Sequence, residues 1–426
     1  MTDGESIHSL IRKLYPICRS ITGDGVRESL SVLKEVIAVR THEVPTGTKA
    51  FDWSVPREWN IKDGFVKDPS GKKIIDFRKN NLHVLGYSVP FKGSIGLDEL
   101  KGHLFTIPEY PDWIPYRTSY YSENWGFCLS HRDYKNLKKG IYEVLIDSSL
   151  QNGHLTFGEY LVRGETEDEV LISAHNCHPS MCNDNLSGVA VAAFLARYLT
   201  GRSNLRYSYR FLFIPGTIGS IVWLSLNEPE LSRIKHGLVL AGVGDEGGFT
   251  YKKSRRGNAD IDRIVTNCVV HSGGNYRVMD FEPTGYDERQ YCSPGIDLPM
   301  GCLMRSVHGS YPEYHTSADG PGFVKAGSLQ ETFSLLVRII DAIENNRKYV
   351  SRNPKCEPQL GKRGLYRKTG GEKMGKSDEL ALLWLLNLSD GRHSLLDVSE
   401  RSGQKMDSVI RAAEKLHGQD LIAPYE

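Results

Sequence analysis

At 426 residues the chain exceeds one ordinary core, so two or three domains are expected. Hydrophobic residues make up 39% and charged residues 25%, the balance of a soluble globular protein, and a formal net charge of +1 gives no global attraction to nucleic acid or an anionic membrane. No apolar run approaches the ~20 residues of a membrane span, the start of the chain (Asp3, Glu5) lacks the apolar stretch of a secretion signal, and eight scattered cysteines follow no disulfide framework, so a cytoplasmic protein with reduced thiols is expected.

Residues 5–40 read as helical. Ile7, Leu10, Ile11 and Leu14 form one apolar stripe, and Leu30, Leu33 and Ile37 form another, with the turn Thr22-Gly23-Asp24-Gly25 between them. From about 49 to 145, two-residue alternation such as Ile141-Tyr142-Glu143-Val144-Leu145 replaces that periodicity, which predicts an inserted, mainly β subdomain. Its aromatic segment Tyr110–Tyr121 suits either a proline-pinned loop with packed rings or the wall of a substrate site.

From about 155 to 350, buried-strand patterns at 170–172, 210–214, 237–240 and 298–303 alternate with helical ones at 219–227, 258–270 and 326–346. That alternation predicts an α/β fold with a helix-flanked, mostly parallel sheet. Residues 351–376 read as a linker; 352–376 holds eight Lys/Arg against two Glu. Short helices at 378–388, 394–402 and 405–417, followed by a strand, suggest a winged-helix-like domain over 377–426, with Ser394 and Asp397 at capping-box spacing. This stretch holds nine acids and five bases, a net charge of −4, which is the wrong sign for a reader of DNA phosphates. A docking or dimerising module is the expectation.

The chemistry concentrates in Ser173–Gly188. Here His175, Cys177, His178, Cys182 and Asp184 sit between an apolar strand and an apolar helix. Ligands bind at that edge of open α/β sheets, and these residue types hold metals. Three more segments follow strands and reach the same edge: Pro215-Gly216-Thr217-Ile218-Gly219-Ser220, Gly244-Asp245-Glu246-Gly247 and Tyr314-His315-Thr316-Ser317-Ala318-Asp319. Singly, an Asp or His at a strand end is commonly a helix cap or a satisfied polar group. Cys177 and Cys182 could also join the histidines in a thiolate zinc site. Asp287-Glu288-Arg289 reads as a salt-bridged turn or a catalytic group, and Arg255-Arg256 as a grip for a substrate carboxylate or a solvated loop.

Taken in order, Ala174-His175, Asn183-Asp184-Asn185-Leu186-Ser187-Gly188, Gly219-Ser220, Asp245 and Tyr314-His315-Thr316 resemble the co-catalytic zinc aminopeptidases, whose relatives include glutamate carboxypeptidase and glutaminyl cyclase. A narrower resemblance, over nearly the whole length, is to a bacterial aminopeptidase-like family linked with polysaccharide or secondary-metabolite biosynthesis. It rests on Cys177-His178-Pro179-Ser180, Asn183–Gly188, Thr217–Ser220, Asp287–Gly295 and Glu313–Ser317. It implies a zinc-peptidase-like domain at 1–48 and 146–350, with 49–145 inserted.

The resemblance also implies roles. Asp184 would bridge two zinc sites, with His175 and Asp245 completing the first and His315 in the second; one or two ions are expected. Glu246 competes with Asp245, and His178 is an orienter or an alternative ligand. Arg289, Tyr291, Glu313 and Tyr314 would line the substrate. Two positions depart from the pattern. Cys177 stands where the wider group has an Asp that orients the ligand His. Gly216 stands where the narrower family has a Glu that serves as ligand or base, and losing a base costs about 10²–10⁴ in rate. Two readings stay open: a hydrolase of a peptide or N-acyl amide bond within a biosynthetic pathway, and a catalytically impaired binding or scaffold descendant. A winged-helix DNA regulator is the third, against which the acid excess argues. The expected partner is a peptide-like or amide small molecule, with no nucleic acid and no membrane; a homo-oligomer is allowed.

Overall fold

The computed structural model of the protein describes residues 2–365 and 376–425. The chain divides into two compact units, Met1–Gly257 with Met279–Phe333, and Asn258–Val278 with Ser334–Glu426. Of the segment read as a linker, 366–375 lies outside the described residues.

The first unit is α/β. Its sheet runs in the order Arg40–Pro45, His154–Val162, Ser208–Ile214, Glu169–His175, Ile234–Leu240, Met300–Met304, Phe249–Lys252. The inner strands from Ser208–Ile214 to Met300–Met304 are parallel, and the flanking pairs are antiparallel. Glu169–His175 lies inside the sheet and is buried at every residue, as a strand covered on both faces must be. It hands over to the irregular turn Cys182–Ser187 and the helix Gly188–Thr200, which is buried over most of its surface. Glycine at 188 lets the helix start press onto the neighbouring strand; a Cβ there would collide with the Leu240 carbonyl.

The N-terminal helix Asp3–Leu14 is closed by the Thr2/Glu5 capping box and buries Ile7, Leu10, Ile11 and Leu14. Burying such a side chain fully is worth about 1.5–3 kcal/mol. The insertion forms an antiparallel sheet in the order Lys73–Asp76, Glu58–Lys67, Ile141–Gln151, Phe91–Gly96, with its own core around Val66, Leu100, Phe127 and Val144.

In the second unit, the helices Lys376–Leu388, Leu395–Ser402 and Met406–Gly418 accompany a small sheet. The Ser394/Asp397 capping box is present. The sheet places Lys348–Ser351 between Asp390–Ser394 and Ile422–Tyr425. The winged unit therefore begins ahead of the segment read as linker. A four-residue strand that pairs with partners 40 to 77 positions downstream carries no local periodicity to reveal it. Arg263 ties the helix Asp260–Val270 to Asp397 and Glu400 of this unit, and Asn267 donates to Ser399.

Candidate metal centre

Asp184 is the focus. Its side chain is fully buried, and each carboxylate oxygen meets a different imidazole: Oδ1 lies 2.9 Å from Nε2 of His175 and Oδ2 lies 2.9 Å from Nε2 of His315. Nδ1 of His178 lies 3.4 Å from Oδ2. The two flanking asparagines explain how the loop aims this carboxylate. Asn183 accepts from Gly244 N at 2.9 Å and donates to Asp245, while Asn185 accepts from Gly188 N and Gly242 N and donates to the Leu240 carbonyl. From the other side, Asp319 takes the backbone N–H groups of Asn183 and Asp184 at 2.6 and 2.9 Å. The turn is thus stapled to three segments, and Asp184 has nowhere to face but the histidines.

Burial alone would raise the Asp184 carboxyl, but His178, His175 and His315 outweigh it and hold it well below the usual range. Burial also lowers the basicity of His175, yet contact with Asp184 more than offsets this and leaves His175 raised. His178 goes the other way, pushed by burial to about 4. Asp319 is pushed up to about 7 by burial, eased by its backbone donors.

The donor set suits a borderline-soft divalent cation. The ligand atoms of His175, His178 and Asp184 lie within 4.8 Å of one another, a spread that one zinc with bonds of about 2.0–2.2 Å can gather. Nδ1 of His178 is buried without a hydrogen-bond partner, and such an orphaned atom costs about 1–3 kcal/mol unless something occupies it. His315 meets the second oxygen of Asp184, so the carboxylate is shared between its ring and that of His175.

Several expected site residues lie elsewhere. Asp245 does not join the cluster. Its oxygens are spent on Asn183 Nδ2, Ser306 N and Oγ, and Gly247 N, and Glu246 beside it is exposed. Tyr291 is fully buried, and its hydroxyl pairs with Ser173 at 3.0 Å. Cys177 is outside the three-residue donor group: its sulfur accepts the Gly216 N–H, and burial pushes the thiol up to about 12. Cys182 is likewise buried with its thiol raised. Arg289 donates to the Thr217 hydroxyl rather than facing the centre. Arg255 and Arg256 pair with Asp297.

Tyr314 does reach the centre, stacked on the His315 ring at 4.0 Å. Gly216 lies beside His175; a Cβ there would stand 3.7 Å from His175 Cβ and 3.5 Å from Cys177 Sγ.

Residues that sequence reasoning missed complete the surround. Tyr286 stacks on His175, Asn185 Nδ2 approaches Nδ1 of His175 at 3.3 Å, and His178 meets the same ring edge-on at 4.9 Å. Arg19, 1% exposed, donates to the His178 carbonyl. From the insertion, Tyr116 meets His178 and His315 edge-on, each at 5.1 Å, and its backbone N–H donates to the His315 carbonyl. The aromatic segment is therefore both packed loop and wall. A cavity of about 290 Å³ opens between it and the His315 loop, lined by Ile107, Tyr110, Tyr311, Pro312 and Tyr314. Of the missed residues, Asp319 carried a signal, standing four positions past His315 in a loop already singled out. Arg19 and Tyr286 carried none.

Comparison with known proteins places the fold and the family. Residues 8–346 match the family described as Domain of unknown function (DUF4910), and residues 347–424 match a winged helix-turn-helix family. A Clostridium acetobutylicum protein, whose name refers to polysaccharide biosynthesis and an aminopeptidase-like domain, is 52% identical over 419 residues, covering 98% of this chain and 96% of that protein. A crystal structure from the same organism, named there as a peptidase, is 51% identical and superposes with a TM-score of 0.94 over 99% of this chain and 96% of that one. The zinc aminopeptidase BSAP of Bacillus subtilis shares the fold at 14% identity, with a TM-score of 0.57 over 79% of this chain and 94% of that chain. The peptidase M28 precursor of Shewanella amazonensis does so at 13% identity, with a TM-score of 0.52 over 79% and 96%. With its fold that of the zinc aminopeptidases, its C-terminal unit a winged helix and its family match spanning most of its length, the chain belongs to the DUF4910 family.

Proposed function

We propose that this aminopeptidase-like protein is a zinc-dependent hydrolase of a peptide-like or N-acyl amide bond, acting in a biosynthetic pathway. The observation that carries the reading is the division of Asp184 between two imidazoles, each 2.9 Å from its own oxygen. That is the donor geometry of a bridging carboxylate. His175, His178 and Asp184 would hold one ion, and His315 with Asp184 Oδ2 would bear on a second. Zinc bound there would polarise the scissile carbonyl and acidify a water.

The chain's own residues supply the rest. Asn183, Asn185 and Asp319 hold Asp184 rigid, which keeps the donors at productive distance. Tyr314, Tyr311 and Tyr110 form an aromatic wall for an apolar or ring-bearing part of the substrate, and Tyr116 shields the histidines from bulk water. The Clostridium relative's name supports the biosynthetic setting. All eight cysteines are free thiols, which supports a reducing, cytoplasmic one. Nucleic acid is not among the proposed partners, because the C-terminal 50 residues carry a net charge of −4.

Gly216 favours a second reading, a descendant that keeps the metal and has lost turnover. Zinc analysis and assays on aminoacyl 4-nitroanilides with the wild type, Asp184→Ala and Gly216→Glu separate the two. Wild-type turnover that disappears with Asp184→Ala, together with the zinc, supports the hydrolase. Turnover confined to Gly216→Glu supports the descendant. A wild type that takes up no zinc removes both.

A further inference from the structure

We infer that Asp287 is the proton acceptor of this site, standing in for the carboxylate absent at Gly216. The inference rests on the hydrolase reading. Asp287 lies in the turn after Tyr286, the residue stacked on His175, and is 3% exposed. Its Oδ1 accepts the N–H of Thr217, immediately after Gly216, at 2.6 Å. Its Oδ2 is buried and has no hydrogen-bond partner. Buried polar atoms are nearly always satisfied, so an unsatisfied one in a functional loop calls for a role.

A purely structural clamp does not account for this oxygen. Holding Thr217 uses Oδ1 alone, a task an asparagine could perform. The loop is worth holding: Thr217 has φ of +62°, a conformation costly for a β-branched residue, and Arg289 grips its hydroxyl as well. The other acids of this edge are already engaged. Asp245 is consumed by four donors and Asp319 holds the backbone of the Asp184 turn, while Glu288, whose oxygens also lack a hydrogen-bond partner, is neutralised by its buried ion pair with Lys252. Beside Gly216 a side chain could start without a clash, since a Cβ would make only ordinary contacts with Cys177 and His175 there. The carboxylate nearest to this point along the hydrogen-bonded loop is Asp287.

The step balances as follows. A water O–H proton passes to Oδ2 of Asp287 as the water oxygen bonds to the amide carbonyl carbon. The proton then passes from Oδ2 to the amide nitrogen as the C–N bond breaks, and the carboxylate is regenerated.

The test compares zinc-reconstituted wild type, Asp287→Asn and Asp287→Asn/Gly216→Glu on aminoacyl 4-nitroanilides, with zinc content measured on the same samples. Asp287→Asn keeps the Oδ1 clamp, so zinc content and thermal midpoint are expected to match wild type while kcat falls about 10²–10⁴-fold at little-changed KM. The double variant is expected to recover at least tenfold of that loss, which a structural residue would not allow. Asp287→Asn at the wild-type rate overturns the inference and leaves the hydrolase reading standing. Loss of zinc from Asp287→Asn also overturns it, by making Asp287 a support of the metal. A zinc-loaded wild type that cleaves no member of the panel removes the hydrolase reading and the inference together.

Discussion

Asp184 and Asp245 make an instructive pair. Both follow strands of the same sheet, both are buried, at 0% and 2% exposure, and both match the same ligand pattern in the sequence. Around Asp184 the neighbours are imidazoles whose nitrogens can exchange a proton for a metal. Around Asp245 they are a side-chain amide N–H, a hydroxyl and two backbone N–H groups, all of which donate to it. The difference teaches that a candidate ligand is marked by acceptor capacity left unspent by the protein. The two are also linked: Asp245 anchors Asn183, the residue before Asp184, so one carboxylate positions the turn that presents the other.

The contrast can be broken by exchange. Asp184→Ala should leave the gel-filtered protein with less than about a tenth of the wild-type zinc, since it removes the shared ligand of the whole cluster; metal analysis decides. Asp319→Asn turns one backbone acceptor into a donor behind Asp184, and zinc affinity is expected to fall about 10–100-fold in chelator competition. Asp245→Asn should act on stability instead. Zinc content is expected to stay within twofold of wild type while the folded state loses about 1–3 kcal/mol in urea unfolding, because an amide then faces donors. If that variant stays folded and loses its zinc, Asp245 belongs with the ligands after all.

The smallest effect lies outside the centre and checks the same logic of satisfied carboxylates. Arg27 makes paired hydrogen bonds to Glu58, Oε1 and Oε2 each at 2.8 Å, and holds its carboxyl down at about 2 against the opposing effect of burial. A carboxyl depressed in the folded state stabilises above its unfolded value, about 4.3, and that stability is lost as pH falls through the folded value. Glu58→Gln should therefore destabilise by about 1–2 kcal/mol at pH 7, with the gap to wild type closing between about pH 4.3 and pH 2.

The fold class and four of the clustered residues, His175, His178, Asp184 and His315, were legible because short local motifs and strand-to-helix transitions encode them. What stayed hidden was set by long-range pairing. Asp245 is spent on Asn183, 62 positions earlier, and on Ser306, 61 positions later. Tyr291 looks like a pocket tyrosine until Ser173, 118 positions away, takes its hydroxyl. The strand Lys348–Ser351 gains its identity only from partners far downstream.

The contacts of the insertion with the His315 loop have a practical consequence. Ile114 and Ser317 bond to each other in both directions, at 2.8 and 2.9 Å, while Tyr116 N–H reaches the His315 carbonyl, and His315 itself sits at φ of +56°. The insertion is thus a brace for a contorted histidine rather than an ornament on the sheet. Anyone trimming residues 49–145 to obtain a minimal catalytic core would be cutting the stitching that sets one of its proposed ligands, and a protein engineer who transplants this centre must move both pieces together.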